Sequence, residues 1–312
     1  MTKIICGVDV SSEALDVEIR PGGASGRFER SEAGIAELVA FCKARGVELV
    51  VMEATGGYEK LALALLWANG IPVALANPRS VRRFAEAMGL LEKTDPLDAG
   101  VIAWFAEAKR MVAQLPPSRA QERLQALVTR LRQLTDLRTA QSNQRRLVGE
   151  ATVLTSFSEI IALINRQIRN LEKEIAAIID ADPLWQRLDE EFRTIKGVAD
   201  RTVARVMAEM PEIGTVSSKA IAKLSGTAPI ANDSGKRKGR RSVRGGRTHV
   251  RSILFVVADV VRRHDPDFCA FHQKLSQAGK PKKVIRVALA RKLLVRLNAK
   301  ARDVRRELAL AA

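Results

Sequence analysis

The runs Ile4-Ile5-Cys6-Gly7-Val8-Asp9-Val10 and Val47-Glu48-Leu49-Val50-Val51-Met52-Glu53 decide the fold of the front of this chain. Each is a short apolar, β-branched stretch that reaches a carboxylate at its end and is followed by turn residues, Ser11-Ser12 in one case and Thr55-Gly56-Gly57 in the other. Strands are expected over 4–8 and 47–52, with 14–20 and 26–30 as hairpin partners of the first. Helical spacing over 32–45, 59–68 and 80–88 and a strand over 72–76 complete the alternation. Residues 1–112 therefore read as an α/β domain, in which parallel strands need helical crossovers and ligands collect at the carboxyl ends of strands.

Beyond Pro116-Pro117 the pattern changes. Leu124, Leu127, Leu131 and Leu134 recur at a/d spacing, as do Ile161, Ile164, Ile168, Leu171, Ile175 and Ile178, which predicts a helical coiled-coil arm over 113–183 ending near Asp182-Pro183. Residues 184–312 are expected to be mainly α, apart from a Gly-rich basic insert near 232–247. At 312 residues and 46% hydrophobic, the chain is long enough for two or three such units.

Charge is divided unevenly. Residues 1–112 hold 13 Lys/Arg against 15 Asp/Glu, whereas the remainder holds 39 against 20. An excess of that size over the back of the chain points to a polyanionic partner, and nucleic acid fits better than an acidic membrane because no amphipathic anchor is visible. The stretch 61–78 is broken by Asn69-Gly70-Ile71-Pro72 and reads as helix, turn and strand rather than a membrane span. No secretory signal is seen, and three scattered cysteines, Cys6, Cys42 and Cys269, fit buried hydrophobes in a reducing cytosol, so a soluble cytoplasmic protein is expected.

Asp9 and Glu53 follow two strands that, as sheet neighbours, would project both carboxylates from one edge. Asp95 and Asp98, in Lys93-Thr94-Asp95-Pro96-Leu97-Asp98-Ala99, share a face at the start of a helix. Taken singly, Asp95 would serve as an N-cap and Asp98 as a favourable charge on the helix dipole. As an ordered set the four carboxylates can converge, and convergence raises their pKa values unless a cation such as Mg²⁺ is held between them, the arrangement that phosphoryl transfer uses.

The wording of Gly7-Val8-Asp9-Val10-Ser11, Met52-Glu53-Ala54-Thr55-Gly56-Gly57-Tyr58 and Lys93-Thr94-Asp95-Pro96-Leu97-Asp98-Ala99 closely resembles the transposases of the insertion-sequence 110 family. The resemblance covers nearly the whole chain. It implies a ribonuclease-H-like, RuvC-like N-terminal domain in which Asp9, Glu53, Asp95 and Asp98 hold Mg²⁺, and a C-terminal transposase domain with a catalytic serine. It further implies strand exchange between donor and target DNA, guided by a structured bridge RNA.

In that C-terminal domain, residues 194–210 resemble a helix-hairpin-helix element, although Ala199 replaces its second glycine and an ordinary helix-helix turn reads as well. Between Ser234 and Arg251 stand Lys236, Arg237, Lys238, Arg240, Arg241, Arg244, Arg247 and Arg251, four glycines and no acid, which reads as a phosphate-lined cradle. Asp233-Ser234-Gly235 alone is a turn. Within such a cradle, and with the Ala-Pro, Ser-Gly, Gly-Gly-Arg and Arg291-Lys292-Leu293-Leu294 block that the family shares, Ser234 is the expected nucleophile and Ser242 the reserve. Lys282 and Lys283 open a final basic stretch that is either phosphate-binding or solvated, 274–306 having 12 Lys/Arg and one acid, Asp303. The apolar heptads imply a homodimer or tetramer. A RuvC-like metal-dependent junction nuclease that activates water, with Ser234 only holding phosphate, is the competing reading.

Overall fold

The computed structural model describes the backbone of residues 3–311 except 91–94, 236, 238 and 240, and the side chains of these residues other than 95–97 and 311. The chain divides into two compact units, Met1–Pro117 and Ser118–Ala312.

The first unit runs β1(Ile5–Val10), β2(Ala14–Arg20), β3(Ser25–Glu29), α1(Glu32–Ala44), β4(Leu49–Glu53), α2(Glu59–Ala68), β5(Val73–Ala76), α3(Pro78–Ala87) and α4(Asp95–Lys109). Its sheet has the order β3-β2-β1-β4-β5. β2 is antiparallel to β1 and β3, whereas β1, β4 and β5 run parallel. This order and these directions are those of the ribonuclease-H-like sheet that the resemblance implies. Alternation along the strands separates two cores. Cys6, Val8, Val50 and Met52 pack with Ile35 and Leu38 of α1 and Ala62 and Leu66 of α2, whereas Ile5, Leu49, Val51 and Ala74 pack with Ile102 and Phe105 of α4. β1 and β4 each include the carboxylate, further than the expected 4–8 and 47–52, because pairing with neighbours carries the extended backbone through Asp9 to buried Val10 and as far as Glu53.

One contact sets the position of α4. A Cβ on Gly7 would lie 2.1 Å from the carbonyl oxygen of Ala99 and 2.5 Å from the nitrogen of Ala103, so only glycine lets the helix backbone rest on β1.

The second unit contains α5(Arg119–Arg145), α6(Ala151–Asp180), α7(Pro183–Arg193), α8(Asp200–Glu209), α9(Ser218–Leu224), β6(Pro229–Ile230), β7(Ser242–Val243), α10(Thr248–His264), α11(Pro266–Gln277) and α12(Lys282–Ala311). α5 and α6 form an antiparallel hairpin, since Arg123 bonds Glu174 while Arg138 bonds Asn165. Their buried positions are Leu124, Val128, Leu131 and Leu134 against Ile164, Ile168, Ile175 and Ile179, all in one core with α7, α8, α10 and α12. The stripe is wider than a two-helix seam because the base of the hairpin also packs on this bundle, which draws Val128 and Ile179 inward and leaves Leu127 and Ile178 half-buried. The expected basic insert contains a short β-hairpin, β6 paired with β7.

The buried Asn298 of α12 ties this core together, accepting from the Gly214 amide at 2.9 Å and donating to the Val216 carbonyl at 3.0 Å. Of the cysteines, Cys6 and Cys42 are buried as expected, but Cys269 is exposed, lying beside Phe268, the buried residue of α11. Among the described residues no helix is long and apolar enough to cross a membrane.

Asn298→Ala strands the buried Gly214 amide, while the Val216 carbonyl keeps its bond from Arg302 at 3.1 Å, and should lower unfolding stability by about 1–3 kcal/mol. Gly7→Ala overpacks the helix-strand contact and should cost a similar amount, about 1–3 kcal/mol. Chemical denaturation of both variants measures these losses, and a loss below about 0.5 kcal/mol for either contradicts the packing described.

Candidate active site

The acidic residues are brought together by register. β1 pairs with β4 at a constant offset, Ile5 with Leu49 and Gly7 with Val51, so the same offset sets Asp9 beside Glu53 at the carboxyl edge. Both share strand parity with Gly7 and Val51 and therefore face α4. The direction of α4 follows from its contacts. Gly100 meets Glu18, the register partner of Gly7, whereas Glu107 forms an ion pair at 3.8 Å with Arg20, the partner of Ile5. α4 thus runs against β1 and begins at the edge where Asp9 stands, placing Asp98 at that end with the helix's partial positive pole. Asp95 is the first residue of α4, and its side chain lies outside the described residues. Among the described residues no three Asp, Glu, His or Cys side chains stand close enough to cage a metal ion. The donor set is nonetheless all carboxylate oxygen, the chemistry a hard divalent cation takes.

The loop after Glu53 is fixed by Glu59, whose carboxylate accepts from the amides of Thr55 at 3.1 Å and Gly57 at 2.9 Å. The Thr55 hydroxyl in turn donates to the Glu53 carbonyl at 3.1 Å. One further carboxylate belongs to this face. Asp16 of β2 is the direct register partner of Asp9, is buried, and receives Arg27 Nη1 at 3.2 Å. Within the run 14–20 no local pattern marks it, since its meaning comes from register with Asp9.

In the second unit, Ser234 occupies the tip of the β6–β7 hairpin. Its amide donates to the Arg237 carbonyl at 3.0 Å and the Arg237 amide donates back at 2.9 Å, so the chain reverses direction between these two residues. Below it the Gly239 amide donates to Asp233 Oδ1 at 3.0 Å. Ser234 is exposed. The hairpin is anchored by contacts that admit no side chain: a Cβ on Gly246 would lie 2.2 Å from the Gly226 nitrogen.

The cradle's cations divide into two groups. Arg247 grips Glu212 with both terminal nitrogens, and Arg251 Nη1 donates to the Gly245 carbonyl at 2.7 Å, so both hold the hairpin's base in place. Arg237, Arg241 and Arg244 pair with no carboxylate among the described residues and face solvent. Lys236, Lys238 and Arg240 lie outside the described residues. Lys282 and Lys283 open α12, exposed. At the expected helix-hairpin-helix element, α7 and α8 are joined through Gly197 at φ +101°, and Arg193 spans the turn to Asp189 and Asp200, each at 2.6 Å. Asp200 stands at the start of α8, so a carboxylate faces any phosphate approaching that helix end.

Two stretches of the chain match known transposase models. Residues 6–148 match the model of a transposase family whose members carry a DEDD domain, and residues 189–273 match that of the IS116/IS110/IS902 transposase family. The chain belongs to the insertion-sequence 110 family of transposases. Such a protein is an enzyme acting on DNA. Among its relatives, the pilin gene-inverting proteins of Moraxella bovis and Moraxella lacunata are each 27% identical over 94% of both chains. An insertion element IS110 43.6 kDa protein of Streptomyces coelicolor is 27% identical over 48% of this chain and 37% of its own length. Among solved structures, T. thermophilus RuvC in complex with a Holliday junction substrate overlaps 36% of this chain and 99% of its own at 15% identity, with a TM-score of 0.29.

In this transposase the Glu212–Arg247 pair is half-buried. Burial, the largest single influence, raises the Glu212 carboxyl, but the Arg247 hydrogen bonds, a bond from its own backbone amide and the Arg247 charge together outweigh it and hold it below the ordinary carboxylate value. A depressed folded-state pKa contributes stability that is present above the unfolded-state value of about 4.3 and is lost as pH falls through the folded-state value. Glu212→Gln should therefore cost about 1 kcal/mol at neutral pH and flatten the decline of the melting temperature below about pH 4.5. Parallel melting profiles for the two proteins across that range contradict the pairing.

Proposed function

We propose that this enzyme is an RNA-guided DNA recombinase in which Ser234 becomes covalently joined to a DNA phosphate while Asp9, Glu53, Asp95 and Asp98 hold Mg²⁺. The observation that carries the reading is the position of Ser234, an exposed hydroxyl at the tip of a hairpin whose Arg237, Arg241 and Arg244 have no carboxylate partner among the described residues. Those guanidinium groups orient a phosphodiester and stabilise the charge that grows on it, and the sequence adds Lys236, Lys238 and Arg240 to the same turn. Ser234 Oγ gives up its proton and forms a bond to phosphorus. The bond from phosphorus to one deoxyribose oxygen breaks, and that oxygen leaves as a hydroxyl after taking a proton. One phosphodiester is exchanged for another, so the step runs in reverse to rejoin strands without an outside energy source. Bound Mg²⁺ would supply neutralisation of phosphate charge.

The carboxylates' own part is to hold the cation at one edge of the sheet, which Gly7 makes possible by seating α4 against β1. The cationic excess beyond residue 112 suits a protein that grips both DNA and a structured RNA by their phosphates, leaving sequence choice to base pairing. A homodimer or tetramer fits the exposed Leu137, Ile160 and Leu163 of the α5–α6 hairpin.

Ser234→Ala should bind DNA normally yet form no adduct, and Asp9→Ala should abolish recombination in Mg²⁺. Trapping the reaction on a nicked DNA, digesting the protein and mapping the nucleotide-bearing peptide by mass spectrometry tests the first. An adduct on Ser242, or cleavage by Ser234→Ala at the unaltered rate, returns a water-using junction nuclease to first place. Neutralising Arg240, Arg241 and Arg244 together should reduce the log–log salt slope of DNA binding by about 2–3. An unchanged slope moves the phosphate surface to the start of α12.

A further inference from the structure

Two basic segments far apart in sequence meet at one cavity of the second unit. The cavity is about 700 Å³, large enough for a small ligand. Its walls are apolar, built from Val284, Val287 and Val295 of α12, Phe271 of α11 and Val243 of β7. Arg241, Lys283 and Arg291 also line it, and none of the three has a carboxylate partner among the described residues. Lys292, a fourth cation there, is engaged differently, with its ammonium 2.8 Å from the Asp267 carbonyl and over the rings of Phe268 and Phe271.

This combination selects its occupant. Apolar walls alone would suit an aliphatic side chain or a partner helix, yet neither gives three unpaired cations anything to bind. An unstacked nucleotide offers both halves, a flat base with weakly hydrated faces and a phosphate on each side. The position agrees: β6 and β7 form part of the wall, and the same hairpin carries Ser234 four residues beyond Ile230, or about 13 Å along an extended strand. A strand held at the hairpin tip thus passes the cavity's mouth.

We propose that this cavity receives one unstacked deoxynucleotide of the DNA substrate near the phosphate presented to Ser234, its base among the valines and its flanking phosphates on Arg241, Lys283 and Arg291. The proposal rests on the reading of the hairpin as a DNA-holding element, but not on Ser234 being a nucleophile. Taking a base out of the stack costs a few kcal/mol, least at a junction where stacking is already interrupted. With Phe271 as the aromatic wall, the base is held by shape and aliphatic contact, which tolerates different bases.

The test uses the full-length protein and branched DNA with a single 2-aminopurine moved through successive positions about the branch point, since this base fluoresces more strongly when unstacked. Wild-type protein should brighten the probe at one position and not its neighbours. Val287→Trp, which fills the cavity, should abolish the rise while changing the DNA dissociation constant less than about threefold. Val284→Trp, at an exposed wall position where folding is not at risk, should do the same. Arg291→Gln should weaken the rise and reduce the salt slope by about one phosphate contact. Brightening that persists in both Trp variants overturns the proposal. So does a rise seen with a 2-aminopurine RNA and not with DNA, or a change of oligomeric state in the Trp variants with the rise intact, which assigns the cavity to a second copy. Binding without any brightening refutes this inference alone, whereas failure of the wild-type protein to bind the junction refutes the parent reading with it.

Discussion

The contact of α4 with β1 at Gly7 is the constraint on which the first unit depends. Helix backbone rests directly on strand backbone there, and the helix runs back along β1 so that its first turn arrives where Asp9 and Glu53 end their strands. The cost is electrostatic: carboxylates from two strands and a helix start face one edge, a concentration of like charge that a folded chain tolerates where a cation or helix dipole offsets it. Arg27 on Asp16 supplies part of that offset from the neighbouring strand.

The second unit handles the opposite charge. Its arginines are not one undifferentiated basic surface. Arg247 and Arg251 are turned inward to fix the glycine-rich base of the β6–β7 hairpin, and Arg262, Arg263 and Arg286 gather on Asp259. Others, among them Arg237, Arg241, Arg244, Lys283 and Arg291, pair with no carboxylate among the described residues and face solvent or the α12 cavity. Sorting paired from unpaired cations says more about nucleic-acid contact than the net charge does, because a cation not held by a carboxylate can neutralise a phosphate and displace the counterions condensed on it without first breaking an internal pair.

Much of this was legible from sequence. The alternation of apolar runs with carboxylates at their ends gave the α/β unit, and the strand parity of Asp9 and Glu53 followed once two neighbouring parallel strands were assumed. Asp16 was not legible, because a buried acid within the run 14–20 acquires meaning only through its register with Asp9. The a/d reading of the helical hairpin shifted by one residue at Leu127 and Ile178, since packing against a third layer is invisible to a two-helix pattern. The roles of Arg247 and Arg251 were likewise hidden, as their partners Glu212 and Gly226 lie 35 and 25 residues away. The cavity between β7 and α12 joins segments whose proximity no local pattern reports.

The central proposal is that the carboxylate edge of the first unit holds a divalent cation, and thermal melting of the full-length chain with and without Mg²⁺ tests it most directly. Asp9→Asn removes one of the carboxylates that would hold the ion. With Mg²⁺ the wild-type melting temperature should rise, by an amount corresponding to about 2.7 kcal/mol at a hundredfold excess over the dissociation constant. The Asn variant should show little or no rise. A wild-type protein indifferent to Mg²⁺, or an equal rise in both proteins, would contradict the account.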